Sequence, residues 1–470
     1  LPANIFFGTG IPTIIMVLRQ KRENTDVLII DASKGFIKEG KNNKLRASDI
    51  KRIADTFIKR ESIPKFSRVV SREEIRSNDY NLNIPRYVDS SEAAEHWDVY
   101  ASMFGGIPTA EIDEMSEFWT AFPALKKALF TESGIPYVNV STPDIKSAIK
   151  SHPDVVGFEN AFNAAFSTFP AFLKEELIDR MGSIEISKAE TVLSADIFER
   201  LKEIPLIDKY AAFQLLDDDW TGISIDLEML QTEGFAATKK VDPNLVIKKK
   251  DGKDQEVQEG WVGHIIPFDL VQATLLSAET DELHGLESRL AEIPSEYESI
   301  LDEMTEEDKE SCNDVLTEEG DAFVPKEVSK KIKELKKDRS PESVALRTLL
   351  EKVESLIKSE KEIKAEIKAK SAALQAKTKD TIESLSDEQA LDLLEKKWIA
   401  PLIESIHKLP DTVIDSLVSK IQALQNKYAT TFFEVEQQIS ETEATLSGMI
   451  DDLEGNEYDM LGLKELKKLL

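Results

Sequence analysis

Cysteine is almost absent from this sequence, and its scarcity excludes several kinds of site. Cys312 is the only cysteine among 470 residues, so an intramolecular disulfide and a cysteine-based metal cluster are both excluded. This composition fits a reducing compartment, and we predict a cytoplasmic location. Histidine is also rare, and no two histidines have metal-ligand spacing, so we interpret all five as structural or surface residues. They are His96, His152, His264, His284 and His407.

Long apolar runs are missing as well. A membrane-spanning helix needs about 18 or more consecutive apolar residues, and no such run occurs, so we predict no membrane association. The apolar opening from Ile5 to Leu18 lacks a preceding basic region and contains Gly8, Gly10 and Pro12. These features favour a buried strand entered from a loop over a secretory signal.

The negative charge of the chain is unevenly distributed. The formal net charge is -29, yet residues 1–90 carry 17 Lys/Arg against 11 Asp/Glu, a local charge of +6. The other 380 residues carry 42 against 77, a local charge of -35. Since phosphate contacts need Lys and Arg, only the first part suits contact with nucleic acid. The acidic remainder is better suited to solvation or to protein partners.

Two β-rich runs and two helices are predicted in residues 1–90. Residues 13–18 and 26–31 are nearly continuous apolar runs, typical of central strands, and the polar stretch 19–25 has the length of a hairpin loop. One helix is predicted to begin at the N-cap Ser48, with Ile50, Ile53, Phe57 and Ile58 on one apolar face. The other begins at Ser71, with Glu74 completing a capping box.

The rest of the chain is predicted to be mainly helical, in two to four domains overall. We place a mainly helical extension at 91–290, with short β pieces at 244–250 and 261–268. An acidic and mixed-charge connector follows at 291–344, and long coiled-coil-like helices occupy 345–470. Within this last region, residues 345–385 form a charge-rich helix.

The last long helix, 411–454, has an apolar seam that we interpret as a subunit-docking surface. Its first part contains Ile414, Leu417, Ile421, Leu424 and Tyr428. The seam continues through Phe432, Val435, Ile439, Leu446 and Ile450, and the step from 428 to 432 inserts one residue. An ordinary long helix packed within its own domain would show the same spacing, so both readings stay open.

Residue types and spacing do not identify a complete catalytic site in this sequence. Gly8-Thr9-Gly10 lacks the third glycine and the following helix of a dinucleotide-binding loop. The acidic triplet 217–219 is more typical of a solvated helix face than of a cation site. Phe6 and Phe7, in a glycine-bounded turn before a strand, could stack on an extruded nucleobase. On residue types alone, core residues that cap the sheet edge are the favoured interpretation.

Several stretches of residues 1–90 are distinctive sequence motifs. They are the opening Leu-Pro-Ala-Asn-Ile-Phe-Phe-Gly-Thr-Gly-Ile-Pro-Thr (1–13), Asp-Val-Leu-Ile-Ile-Asp-Ala-Ser (26–33), Lys-Arg-Glu (59–61), the Ser71–Ile75 helix and Asp-Tyr-Asn-Leu-Asn-Ile-Pro-Arg-Tyr (79–87). Together they closely resemble the modification (M) subunit of type I restriction–modification systems. A weaker likeness to the longer M subunits lies at 204–210, together with Trp220.

The resemblance implies an N6-adenine DNA methyltransferase that uses S-adenosylmethionine. It implies a Rossmann-like α/β sheet, with the hairpin of 13–18 and 26–31 as its last two, antiparallel strands. Phe7 would stack on the flipped adenine, with Phe6 as the runner-up. The implied partners are DNA, a specificity subunit and a restriction (motor–nuclease) subunit, with a second M subunit as a further candidate.

The cofactor and catalytic motifs of that family do not occur in this sequence. The glycine-rich Asp-Pro-x-x-Gly-x-Gly loop and the Asn-Pro-Pro-aromatic motif are both missing, and the chain contains no Pro-Pro pair. Both motifs precede the Leu1 segment in the family, so we expect the S-adenosylmethionine site to lie upstream and this chain alone to be inactive. Two other interpretations stay open: a non-enzymatic helical assembly module, and part of a single-chain restriction–methylation enzyme.

Overall fold

The computed structural model describes residues 1–6, 8, 10–91, 95–134, 136–250, 253–317, 320–338 and 340–468. In chain order the strands are β1 (Val27–Ile30), β2 (Ile37–Glu39), β3 (Asn42–Lys44), β4 (Ser67–Val70), β5 (Ile107–Pro108), β6 (Phe130–Glu132), β7 (Tyr137–Val140), β8 (Val241–Lys250) and β9 (Lys253–Gly263). Helices fill most of the remainder, as the sequence predicts. Among the described residues, no helix combines the length and the apolar character that crossing a membrane requires.

The helices fall into two groups along the chain. Those before residue 240 are α1 (Ala47–Lys59), α2 (Arg72–Ser77), α3 (Val99–Phe104), α4 (Thr109–Asp113), α5 (Ser116–Ala121), α6 (Leu125–Leu129), α7 (Ile145–Lys150), α8 (Pro153–Phe166), α9 (Phe169–Leu173), α10 (Ile186–Arg200) and α11 (Lys209–Glu233). Those after it are α12 (Phe268–Leu275), α13 (Ser277–Glu303), α14 (Glu306–Ser311), α15 (Pro325–Leu335), α16 (Pro341–Glu383), α17 (Asp387–Trp398), α18 (Ala400–His407), α19 (Leu409–Lys427), α20 (Phe432–Asp451) and α21 (Glu457–Lys467). A π-helical turn occupies Lys174–Asp179, and 3-10 turns occupy Ile84–Arg86 and Phe235–Lys239.

The chain divides into two compact units, each of them discontinuous in sequence. Unit 1 contains residues 1–176, 184–224 and 400–470. Unit 2 contains residues 177–183 and 225–399.

The predicted hairpin of 13–18 and 26–31 is wrong. The second run does form a strand, β1, but it pairs antiparallel with β4, from Val27 opposite Val70 to Ile30 opposite Ser67. Residues 13–18 are not assigned to any strand, and the apolar side chains from Ile14 to Leu18 are exposed, the last by 86%. Among the described residues β4 is the one strand that pairs with β1, and residues 13–18 lie beside no strand, so no backbone ladder holds them in a sheet.

Helix α1 is confirmed, but its faces are reversed from the prediction. It begins two residues earlier, because Arg46 is the N-cap and its backbone N–H donates to Asp49 at 3.0 Å. Ser48 and Thr56 are buried, whereas Ile50, Phe57 and Ile58 are exposed. The buried side faces α11, where the Ser48 backbone N–H donates to Gln214 Oε1 at 3.0 Å. Helix α2 begins as predicted, because Ser71 Oγ accepts from the Glu74 backbone N–H at 3.2 Å.

The core of unit 1 is built from aromatic and aliphatic side chains. Phe122, Phe162, Phe166 and Phe169 are fully buried, and the rings of Phe162 and Phe166 stack with centroids 4.7 Å apart. Helix α19 packs against α7, where Lys146 pairs with Asp415 at 2.7 Å and Lys150 with Asp411 at 2.5 Å.

Unit 2 is organised around an antiparallel pair of long helices, α13 and α16. Three cross-helix contacts fix their opposite directions: Glu279 with Lys377, Glu282 with Lys370, and Tyr297 with Glu360. Helix α16 confirms the helix predicted at 345–385. The β pieces predicted near 244–250 and 261–268 correspond to the hairpin of β8 and β9, whose second strand begins eight residues earlier than expected.

The prediction of a single helix over 411–454 is wrong, because the helix is interrupted by a short non-helical segment between α19 and α20. Thr431 starts the second helix with a reciprocal capping box, in which its hydroxyl accepts from the Glu434 N–H at 3.1 Å and the Glu434 carboxylate accepts from the Thr431 N–H at 3.0 Å. The break lies at the residue inserted in the seam between Tyr428 and Phe432, so a continuous coiled-coil-like helix is not observed here.

Candidate nucleic-acid interface

The aromatic loop at the start of the chain is held by the β2–β3 hairpin. Asn43, on β3, donates from its backbone N–H to the Asn4 carbonyl at 2.9 Å and from Nδ2 to the Ala3 carbonyl at 2.8 Å. Asn4 has a positive φ of 52°, the left-handed conformation that asparagine tolerates well. Two hydrogen bonds spanning about forty residues of sequence therefore fix the backbone just before the phenylalanines.

Phe6 lies on this loop with its side chain 52% exposed. The described surroundings therefore leave much of the ring free to meet a flat partner. Phe7, the first choice for base stacking, lies outside the described residues. The reading of Phe6 as a core residue that caps the sheet edge does not fit this exposure.

The hairpin that holds the loop is basic. Residues 34–46 contain five Lys/Arg and one acidic residue. Lys44 pairs with Glu39 at 3.2 Å, and both side chains are exposed; Arg46 pairs with Asp49 at 3.0 Å, where the arginine is exposed and the aspartate is mostly buried. The hydrogen bond to Asp49 raises the pKa of Arg46. Exposed lysine and arginine beside an exposed ring suit a nucleic acid, in which phosphates and bases are neighbours.

The carboxylate of Asp31, at the end of β1, is hydrogen-bonded to Ser90, near the end of residues 1–90. Asp31 accepts from the Ser33 backbone N–H at 3.0 Å and from the Ser90 hydroxyl. Burial on its own would raise the pKa of Asp31, but the hydrogen bonds from Ser90 and Ser33 hold it below its ordinary value. These bonds give Asp31 a role in fixing the backbone around β1.

Residues 1–96 match the model of the N-6 DNA Methylase family. The type I restriction enzyme MpnII methylase subunit of Mycoplasma pneumoniae is 37% identical over 100 residues, which cover 21% of this chain and 18% of the relative. The MjaVII methylase subunit of Methanocaldococcus jannaschii is 38% identical over 105 residues, with the same shares of each chain. The chain therefore spans about a fifth of the length of these relatives.

A solved structure is similar over the same part of the chain. It is the type I restriction-modification system methyltransferase subunit from Streptococcus thermophilus, 52% identical over 19% of each chain, with a TM-score of 0.19. We call residues 1–96 the methylase segment. The similarity to type I modification subunits, expected from the opening motifs, is thus confirmed for this segment.

The sequence analysis did not identify Asn43 as a residue that holds the aromatic loop. Its hydrogen bond to Ala3 leads to a prediction for the methylase segment. In Asn43→Asp the Nδ2 donor becomes a carboxylate oxygen that faces the Ala3 carbonyl and repels it. We expect hydrogen exchange at the amide of residue 43 to accelerate about tenfold, because loss of one hydrogen bond with repulsion costs about 1–3 kcal/mol. Exchange is read by mass spectrometry on the peptide that contains β3.

Asn42 offers the matched control for this experiment. It is the preceding residue, its side chain is exposed, and it lies opposite Glu39 across the hairpin. Asn42→Asp changes the charge equally but removes no contact to the loop. Equal exchange rates in the two variants would show that the Asn43 side chain does not hold the loop.

The five seam residues predicted for docking lie mainly in the chain's own core. Ile414, Leu417, Ile421 and Tyr428 are buried, and Leu424 is half-buried. Their assignment to a docking surface is therefore corrected: helix α19 turns this face toward its own unit, where it packs on α7.

Tyr428 is further fixed by polar contacts within unit 1. Its hydroxyl accepts from the Asp98 backbone N–H at 3.1 Å and donates to Glu111, whose carboxylate also accepts from Lys427 at 2.8 Å. Burial and the bond to Glu111 raise the pKa of Tyr428. This residue therefore anchors the end of α19 within its own unit.

The remaining polar clusters do not resemble catalytic sites. Asp217 and Asp219 lie half-buried on α11, and burial together with the neighbouring Asp218 raises the pKa of each. The ring of His264 contacts Asp242 at 2.6 Å and Glu233 at 3.2 Å through different nitrogens. Across the described ranges, no three His, Cys, Asp or Glu side chains converge as metal ligands would.

Proposed function

We propose that this chain is the C-terminal part of an adenine-N6 DNA methyltransferase subunit that uses S-adenosylmethionine. The observation that carries the proposal is the match of residues 1–96 to the N-6 DNA Methylase family, at 37–38% identity to type I methylase subunits. In the proposed complex, a specificity subunit selects the DNA sequence and a restriction subunit supplies the motor and nuclease. A second modification subunit is a further candidate partner.

The exposed apolar surface of the methylase segment supports a larger domain around it. Ile14, Ile15 and Leu18 on the extended run and Phe57 and Ile58 on α1 are all exposed. Residues 14–18 are five consecutive exposed apolar residues, and a contiguous exposed apolar stretch is typical of a surface that another part of a protein covers. We propose that residues 13–18 join the sheet of a complete methyltransferase domain, where apolar runs are covered on both faces.

Within the proposed reaction, this chain contributes base and DNA contacts but no cofactor site. The residues present do not fit S-adenosylmethionine, because the sequence contains neither a glycine-rich Asp-Pro-x-x-Gly-x-Gly loop nor an Asn-Pro-Pro-aromatic motif. We assign cofactor binding and orientation of the adenine amino group to a segment outside this sequence. Phe7, with Phe6 beside it, stacks on the extruded adenine, and the lysines of the β2–β3 hairpin face the phosphates.

The direct test is methyl transfer from labelled S-adenosylmethionine to adenine in duplex DNA. The complete subunit, combined with its specificity subunit, is expected to label DNA at N6 of adenine, and the present chain alone is expected to label nothing. A complete subunit with no methyl transfer would favour the non-enzymatic assembly module. A nuclease on the same polypeptide would instead favour a single-chain restriction–methylation enzyme.

A charge placed at Ile15 tests whether the exposed run is an interior strand. In the present chain, Ile15→Asp should change the free energy of unfolding by less than about 0.5 kcal/mol, because the side chain is exposed. In the complete subunit the same change should cost about 1–3 kcal/mol, since it buries a polar group in the sheet. Urea unfolding of both proteins measures the difference.

Ile247 is the matched control for this substitution. It is an exposed isoleucine in an extended strand, β8, and lies outside the methylase segment. Ile247→Asp is expected to have the same small effect in the present chain and in the complete subunit. If Ile15→Asp behaves like Ile247→Asp in both proteins, residues 13–18 do not enter the sheet.

A further inference from the structure

Helix α20 presents an uncovered apolar seam. Phe432, Val435, Ile439, Leu446 and Met449 are spaced by three, four, seven and three residues, and all are exposed, the first by 62% and the last by 63%. With Thr442 between Ile439 and Leu446, the spacing is that of the core positions of nearly three heptads. We call these six residues the α20 seam.

The start of α20 is anchored, so the seam is held in place before any partner arrives. The capping box between Thr431 and Glu434 fixes the first turn. Thr431 lies against Gly105 at the end of α3. Its methyl group is so close that a side chain at position 105 would have its Cβ only 3.4 Å away. Such preorganisation lowers the entropy cost of binding.

The seam has acidic flanks. In heptad terms, with Phe432 at position a, the flanking e and g positions include Glu436, Glu443 and, just past the helix end, Asp452. The whole helix, 432–451, carries five acidic residues and no basic residue. A helix seated on the seam would therefore place its own flanking side chains beside carboxylates.

This charge pattern discriminates between occupants. A second copy of α20 docked antiparallel would bring Glu436 of one chain toward Glu443 of the other, and either orientation brings two helices with only acidic charges together. An anionic lipid surface would be repelled for the same reason. A helix with lysine or arginine beside its apolar stripe gains attraction at the three acidic flanking positions, Glu436, Glu443 and Asp452.

We infer that the α20 seam receives an amphipathic helix of a partner chain whose flanking positions carry lysine or arginine. The inference rests on the proposed function in one respect, because a type I complex supplies partner chains. It restricts the predicted docking seam to the part that lies on α20, since the part on α19 is buried, and it specifies the chemistry of the partner.

Two synthetic 21-residue helices test the inference directly. Both carry leucine at a and d positions; one carries lysine at e and g, and the other carries glutamate. Binding to the present chain is followed by fluorescence anisotropy. We expect the lysine helix to bind about tenfold tighter or more than the glutamate helix, and its affinity to fall as salt rises.

Charge reversal on the helix identifies the side chains responsible. Glu443→Lys should reduce the preference for the lysine helix several-fold, and the double change with Glu436→Lys should invert it. Glu441→Lys is the matched control, because this residue lies two positions away on the face opposite the seam. Ile439→Glu should abolish binding of both helices while circular dichroism shows α-helix content unchanged.

Three results would overturn the inference: equal binding of the two helices, equal effects of Glu441→Lys and Glu443→Lys, or a homodimer in sedimentation that Ile439→Glu dissociates. The outcomes separate this inference from the proposed function. Loss of helix discrimination with intact adenine methylation by the complete subunit removes the inference alone. Selective binding of the lysine helix, with no methylation by the complete subunit, would contradict the proposed enzymatic function and still support docking at the α20 seam.

Discussion

Replacing Asp226 with alanine is expected to lower the free energy of unfolding of unit 2 by about 3 kcal/mol. Asp226 is only 6% exposed, and its carboxylate accepts from Trp398 Nε1 at 2.7 Å and from the Lys397 ammonium. Lys397 also donates to the Ile265 carbonyl at 2.6 Å. The carboxylate thus joins α11, α17 and the chain after β9, and its removal leaves an indole N–H and an ammonium group without their shared acceptor.

Two further substitutions separate the charge of Asp226 from its role as an acceptor. Asp226→Asn retains an oxygen that can accept from the indole but cannot neutralise Lys397, so a smaller loss is expected. Asp392→Ala removes the partner of Lys396, a residue next to Lys397 on α17; this pair spans 2.7 Å but is largely exposed. Exposed pairs contribute about 0–1 kcal/mol, so this control should change little.

Urea unfolding followed by tryptophan fluorescence measures all three variants. A shift of the midpoint at constant slope reports a change in stability alone. If Asp226→Ala costs no more than Asp392→Ala, the buried network does not stabilise unit 2.

Local patterns in this sequence predicted elements well, because the physics behind them is local. The apolar run before Asp31 predicted a strand that is observed as β1, and the N-cap at Ser71 predicted a helix that is observed as α2. Their partners were not predictable in the same way. The ladder of β1 is completed by β4, about forty residues later, and no local signal distinguishes that pairing from a hairpin with residues 13–18.

Faces of helices were predicted less well than helices themselves. The apolar stripe of α1 was expected to be buried, yet Thr56 is buried and Ile58 is exposed. Amphipathic spacing identifies two faces, but the neighbour that covers one of them comes from elsewhere in the fold. For α1 the neighbour in this chain is α11, which contacts the polar side through Gln214.

The same limit explains the outcome for the docking residues. Heptad spacing predicts that Ile414, Leu417 and Ile421 lie on a covered face, and all three are fully buried. It cannot tell a helix of the same chain, here α7, from a helix of another chain. The inserted residue before Phe432 was visible in the sequence and marks the point where the buried part of the predicted seam ends. Beyond it Phe432, Val435, Ile439 and Leu446 are exposed, whereas Ile450 is buried.

The base-stacking role of Phe6 and Phe7 stays a prediction. The glycine-bounded turn and the basic composition of the region suggested these residues, and Phe6 is exposed. The hydrogen bonds from Asn43 that hold the turn were not predictable, because a contact between a side chain and a distant backbone carbonyl leaves no periodic signal.

Phe7→Ala in the complete subunit is expected to lower the rate of adenine methylation by about 10- to 100-fold. Stacking of a base on an aromatic ring contributes about 1–3 kcal/mol, and each 1.4 kcal/mol corresponds to about tenfold in rate. The loss should fall on extrusion of the adenine, since phosphate contacts supply most of the affinity for DNA. Phe6→Ala should have a smaller effect, and Phe7→Trp should retain activity because it keeps a flat ring.

Methyl transfer and base extrusion are measured separately. A 2-aminopurine in place of the target adenine reports extrusion by its fluorescence, and gel-shift titration reports DNA affinity. A mismatched target base is already partly unstacked, so it should restore part of the extrusion lost in Phe7→Ala. Phe433→Ala removes an exposed ring from α20 and serves as the control for nonspecific loss of an aromatic.

The pattern of these results decides the role of the loop. Reduced methylation with reduced extrusion and unchanged DNA affinity would support stacking by Phe7. Reduced methylation with unchanged extrusion would instead indicate that the ring only supports the fold near the cofactor. Unchanged methylation in Phe7→Ala together with a large loss in Phe6→Ala would move the stacking role to the neighbouring ring, and unchanged methylation in both would remove the loop from the mechanism.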